Sequence, residues 1–177
     1  MIGTVDAEKN RPIFEMAFKQ VMSEVSMDDP VSDAFMEELF TAFLHGDDRE
    51  GRTVAEKYLL PERWRWVGQN QQPDYREAIR QFVFRVNMTT YAMRRMDRCM
   101  NQVERAPYWQ FICAGRGNCS RKSSDLMVYR YDDQFWQHFD LPCDEKECGC
   151  RIRNLGERDL IRYGLDVSSS NIDISTK

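Results

Sequence analysis

No stretch approaches the roughly 18 consecutive apolar residues that a membrane-spanning helix needs, so no helical span is expected. The opening residues, Met1-Ile-Gly-Thr-Val-Asp-Ala-Glu8, show no basic segment leading into an apolar one. No secretory signal is therefore expected, and synthesis in the cytoplasm is. Histidine is nearly missing. His45 falls at an expected helix end and His138 in an aromatic patch, and neither completes a Ser-His-Asp or Cys-His order. None of the nine glycines builds a phosphate-cradling loop between a strand and a helix. Internal repeats and low-complexity tracts are also lacking.

Apolar residues make up 42% of the 177 residues, enough for one domain with a proper core or a helical body with a small appendage. The net charge of -4 hides an asymmetry. Residues 1–74 carry 15 acids and 8 bases, a net of -7, and residues 75–130 carry 4 acids and 11 bases, a net of +7. Residues 131–177 carry 10 acids and 6 bases, a net of -4. A basic middle between acidic flanks suits phosphate or an acidic protein surface, and it equally suits neutralisation within the fold.

Helical periodicity dominates the first hundred residues. Ile13, Phe14, Ala17, Phe18, Val21, Met22 and Val25 form one broad apolar stripe, predicting a helix over 11–26 with Pro12 in its first turn and residues 1–10 frayed. A second helix is expected over 30–44, capped by Asp29 and carrying Val31, Phe35, Leu39 and Phe43 at four-residue spacing; Gly46 ends it. A charged turn, 47–51, precedes a short third helix over 53–60. Trp64 and Trp66 sit in a polar loop and are expected to cap the core. The longest helix is expected over 74–105, about 45 Å at 1.5 Å per residue. Arg94, Arg98 and Arg105 share one face of it, and Arg121 and Lys122 extend the basic set further on. Such a set suits DNA phosphate or an acidic partner. Asn87, mid-helix beside the apolar stripe, is expected to bond a neighbouring backbone.

After Pro107 the texture becomes aromatic and β-prone. Two short antiparallel strands are expected over 108–112 and 125–131, then a helical turn over 132–138. A third strand is expected over 148–153, a closing helix over 156–164 and a polar tail from Ser168. The fold class is thus mainly α with a small antiparallel β-rich C-terminal subdomain, α+β. Its organisation would be a helical body at 1–106, a cysteine-bearing subdomain at 107–166 and a tail at 167–177.

Five of the six cysteines, Cys113, Cys119, Cys143, Cys148 and Cys150, crowd into that subdomain, with Cys99 upstream. Without a secretion signal they favour thiols or metal ligands over disulfides. Four thiolates arriving as two pairs would hold one structural zinc, with His138 as a substitute ligand. The spacer between Cys113 and Cys119 is wider than that of a zinc knuckle, and buried cysteines packing as small hydrophobes are the plainer reading. Asp132/Asp133 and Glu145/Glu147 form carboxylate pairs of the kind a metal-dependent nuclease uses, and adjacent carboxylates on loops ordinarily cap or solvate.

The run Asp132-Asp133-Gln-Phe135-Trp136, then Leu141-Pro142, then Cys148-Gly-Cys150-Arg151-Ile-Arg153-Asn-Leu155 resembles the closing signature of MuF-like minor head proteins, the phage head morphogenesis family. Trp66-x-Gly68, Tyr75-Arg76, Asn87-x-x-Thr90-Tyr91-Ala92 and Pro107-Tyr108-Trp109 look like its upstream motifs, and the similarity runs over about 50–165. The chain departs from the family with Gly149 in a C-R-C-like ending, Cys143 in place of a histidine, and only Cys119-Ser-Arg121-Lys122 before the second strand. The resemblance implies a virion structural protein and no enzyme. Such a protein sits in the head at the portal vertex and acts in assembly, DNA packaging or ejection. Its partners would be portal and other head proteins, with packaged DNA against the basic middle. Two readings of other classes stand beside it: a zinc-dependent DNA-acting enzyme or toxin, and a zinc-stabilised nucleic-acid-binding adaptor.

Overall fold

The apolar stripes fold as helices. The computed structural model describes residues 7–27, 32–61, 64–67, 74–113, 119, 121–138 and 150–170. Its helices are α1 (Ala7–Ser23), α2 (Asp33–His45), α3 (Asp48–Tyr58), α4 (Tyr75–Met100) and α5 (Glu157–Tyr163). The strands are β1 (Val25–Met27), β2 (Trp64–Trp66), β3 (Tyr108–Ile112), β4 (Val128–Arg130) and β5 (Arg151–Leu155). Helices with two small antiparallel sheets among the described residues make this an α+β protein, as expected. The chain divides into two compact units, residues 1–91 and 92–177.

In the first unit, cap chemistry sets the helix ends. Ser32 accepts the Phe35 N–H at 3.3 Å and starts α2 at Asp33. The expected start at Pro30 and cap at Asp29 lie outside the described residues. Gly46 ends α2 in the left-handed region at φ 71°, where its lack of a Cβ removes the strain. Helix α3 begins earlier than residue 53. Asp47 accepts the Arg49 N–H at 2.7 Å, and Asp48 and Glu50 place negative charge at the positive end of the helix dipole. The expected charged turn is therefore the first turn of α3. Gly51 lies inside this helix because a Cβ there would come within 3.2 Å of Val83. Helix α1 also starts earlier than expected, so residues 7–10 are helical and Pro12 lies inside the helix.

The expected end of α1 is instead strand β1, paired antiparallel with β2 from Val25↔Trp66 to Met27↔Trp64. The alternation of buried Trp64, exposed Arg65 and buried Trp66 is the period-two signature of that strand, in place of the polar loop read there. Both indole rings reach the core, as expected. Trp64 lies 6.2 Å and Trp66 6.5 Å from the Phe82 ring centroid. Phe35 stacks on Phe82 at 5.8 Å and meets Phe18 edge-on at 5.2 Å. Arg85, on the same helix as Phe82, is buried and held by both carboxylate oxygens of Glu24, at 3.1 and 3.2 Å. Removing Glu24 would take this two-bonded carboxylate away from a buried guanidinium. Asn87 donates to the Asp48 carboxylate at 3.2 Å, a side chain and not the backbone partner expected.

In the second unit, β3 is the middle strand of a three-stranded sheet ordered β4-β3-β5. Helix α4 ends at Met100, not Arg105, and its 26 residues span about 39 Å. Residues 101–105 continue as tighter turns, with Gln102 N–H on the Cys99 carbonyl and Arg105 N–H on the Gln102 carbonyl. Strand β4 is shorter than expected because Leu126 adopts φ 65°, which breaks the extended run. A 3₁₀ turn at Gln134–His138 matches the expected helical turn, and α5, between Gly156 and Gly164, matches the expected closing helix. The start of the polar tail is docked: Val167 bridges Val128, and the Ser168 N–H bonds the Val128 carbonyl at 2.7 Å.

Phe82 is fully buried and meets four other rings, those of Phe18, Phe35, Trp64 and Trp66, whereas Met16 is 54% exposed. Phe82→Ala should cost about 3–5 kcal/mol in urea denaturation, and Met16→Ala should stay within about 0.5 kcal/mol. Equal effects would contradict this core.

Candidate metal centre

Strand alternation aims the cysteines. On β3, Trp109 and Phe111 share one face, and Cys113, two residues on, continues it. On β5, Ile152 is preceded by Cys150 at the same interval. The β3–β5 register pairs Phe111 with Ile152 and Ile112 with Arg151. One step further along that register, Cys113 faces Cys150. Cys119 enters from the segment before the 3₁₀ turn Lys122–Ser124.

The three sulfurs lie within 4.8 Å of one another, and Cys119 Sγ is 3.5 Å from Cys150 Sγ. That separation is well beyond the roughly 2.05 Å of a disulfide bond. All three residues are buried, Cys150 completely. Phe111 packs within the cluster, with Phe135 and Trp136 against it. Trp136 meets Phe135 edge-on at 4.9 Å and Trp109 at 5.5 Å, and its indole N–H donates to the Arg130 carbonyl at 2.9 Å. The Cys113 N–H donates to Asp125 Oδ1 at 2.8 Å, which fixes the backbone where β3 ends. Of the five cysteines expected to bind metal, the structure thus brings together Cys113, Cys119 and Cys150. Cys143 and Cys148 lie outside the described residues, as does the side chain of His138.

Cys99 stands apart from this group. It packs with Trp109 and Ile152, and burial pushes its thiol upward, opposed chiefly by the charge of Arg95. Arg95, outside the basic set expected from the sequence, donates from Nε to the Ile152 carbonyl at 2.7 Å and fastens α4 to β5. Its place beside the apolar stripe of α4, one turn before Cys99, was the available signal.

The acidic aromatic patch serves the fold. Asp132 pairs with Arg130 at 2.9 Å. Asp133 accepts the Phe135 N–H at 2.8 Å and the Ser170 N–H at 3.3 Å, and it also receives the Ser170 hydroxyl. Burial raises the Asp133 carboxyl, but these hydrogen bonds outweigh it and hold it below its ordinary value. Glu145 and Glu147 lie outside the described residues. His45 meets Glu50 at 3.0 Å on an exposed helix end.

The expected basic face is shortened. Arg94, half-buried, and Arg98, exposed, lie on α4, but Arg105 lies in the turn beyond it. Arg121 immediately precedes and Lys122 begins the 3₁₀ turn near Cys119, with Lys122 exposed. The expected three-arginine face is thus cut to Arg94 and Arg98, four residues apart on α4.

No family model matches the chain, and no solved structure does. Two curated proteins are similar to it. The Putative capsid assembly protein F of Escherichia phage Mu is 36% identical over 90 residues, 49% of this chain and 20% of that protein. The Mu-like prophage FluMu F protein of Haemophilus influenzae is 32% identical over 92 residues, 50% of this chain and 22% of that protein. The matched stretch is about a fifth of the length of each relative. These relatives bear out the resemblance to MuF-like phage head proteins.

Asp133→Ala should cost about 1–2 kcal/mol through lost hydrogen bonds. Because the folded carboxyl is depressed, its contribution is full above the ordinary range near about 3.9 and fades as pH falls through the folded value. Urea melts against pH should therefore show a shallower acid limb for Asp133→Asn than for the parent chain. Parallel limbs would remove Asp133 from the account.

Proposed function

We propose that this chain is a phage minor head protein that works by binding and assembly, at the portal vertex of the virion. Its similarity to a protein named for capsid assembly, over about half of this chain, carries the reading. The second relative, named as a Mu-like prophage protein, supports it. The described chemistry is compatible with it: Asp132 and Asp133 are engaged by Arg130, Phe135 and Ser170, in keeping with a role in the fold.

Within this reading the partners are portal and other head proteins, and the exposed basic residues of the second unit meet an acidic head-protein surface or packaged DNA. Arg98, Arg105 and Lys122 are exposed and suited to that contact. Exposed cations steer and orient association more than they add raw affinity. The work is then to aid head assembly and DNA packaging or ejection.

Heads assembled with the R98E/R105E/K122E variant should contain several-fold less of this chain than wild-type heads, by quantitative mass spectrometry of purified particles. Particles of unchanged composition and DNA content would overturn the role of these residues. DNA cleavage by the purified wild-type chain with divalent metal would overturn the assembly reading itself.

A further inference from the structure

We propose that Cys113, Cys119 and Cys150 are thiolate ligands of one structural zinc ion. The geometry comes first. Zinc bound to sulfur at about 2.3 Å in a tetrahedron sets its ligand sulfurs about 3.8 Å apart. The Cys119–Cys150 separation of 3.5 Å and the common limit of 4.8 Å for all three pairs bracket that edge. The three ligands come from three separate places: the end of β3, the segment before the 3₁₀ turn, and the residue before β5. An ion there ties together chain ends that a three-stranded sheet of short strands holds weakly by itself.

The surroundings fit a closed structural site. Phe111, Phe135 and Trp136 wall the sulfurs, so water is kept from the ligand bonds. In so dry a place three cysteines stay neutral thiols unless a cation draws off their protons, and a divalent soft-ligand ion balances most of the thiolate charge it creates. A closed tetrahedral site takes one donor more than these three. Simple packing as small hydrophobes has its own example in the same unit: Cys99, which lies with Trp109 and Ile152. Convergence of three sulfurs needs a different cause. The inference is independent of the head-assembly reading.

The test uses the full chain purified under reducing conditions without added metal. Elemental analysis should find about one zinc per chain, and removing it with a chelator should lower the melting temperature. Replacement by cobalt(II) should give a thiolate-to-cobalt charge-transfer band. Cys113→Ser, Cys119→Ser and Cys150→Ser should each cut bound metal about tenfold or more, while Cys99→Ser keeps it. Cys113→His, which restores a ligand at the least enclosed of the three positions, should retain metal even where the serine variants fold poorly. A folded wild-type chain with no zinc and no cobalt band would overturn the proposal. So would full zinc in all three serine variants.

Discussion

The second unit depends on the register between β3 and β5. That pairing fixes which side chains of two distant segments share a face, and a one-residue slip would turn every one of them over. It places Trp109, Phe111 and Ile152 together, and it carries Cys113 to a position opposite Cys150. The aromatic patch then closes over this face: Phe135 stacks on Tyr129 at 4.0 Å and Trp136 meets Tyr129 edge-on at 6.1 Å. Asp133 holds the patch by taking the Phe135 N–H and both the hydroxyl and the N–H of Ser170. A motif that looks like chemistry in the sequence, two carboxylates beside two rings, thus works as a latch.

The first unit rests on a different constraint, aromatic rings packed round Phe82, with Arg85, buried on the same helix, paired to Glu24. Phe18, Phe35, Trp64 and Trp66 each set their ring centroid 5.8–6.5 Å from that ring. The Arg85–Glu24 pair adds specificity: its two hydrogen bonds fix the chain between α1 and β1 against α4 at one distance. Gly51 permits the close approach of α3 to Val83 that this arrangement needs.

Periodicity made the helices legible, because Ile13 to Val25 and Tyr75 to Val103 repeat at helical spacing whatever else surrounds them. The ends were less so. Pro12, expected in a first turn, and Gly51, expected in a charged turn, both sit inside helices where packing overrides local preference. Strand β1 was missed because three residues, Val25 to Met27, cannot announce an alternation against a preceding helix. Long-range partners such as Glu24 for Arg85, Ile152 for Arg95 and Ser170 for Asp133 leave no trace in local spacing. The cysteine site shows the same limit. The interval from Cys113 to Cys119 is wider than a metal knuckle's, and the sulfur that joins them, Cys150, arrives across the sheet. The resemblance to MuF-like proteins, resting on the order of short motifs, was visible from the residues and is carried by the two relatives.

A small sheet with short strands gains most from a cross-link at its ends, and that is where the three sulfurs meet. Zinc-edge X-ray absorption on the purified full chain tests this account most directly. The account predicts a first shell dominated by sulfur, at least three atoms at about 2.3 Å. A shell of nitrogen or oxygen at about 2.0–2.1 Å, or no bound zinc at all, would contradict it.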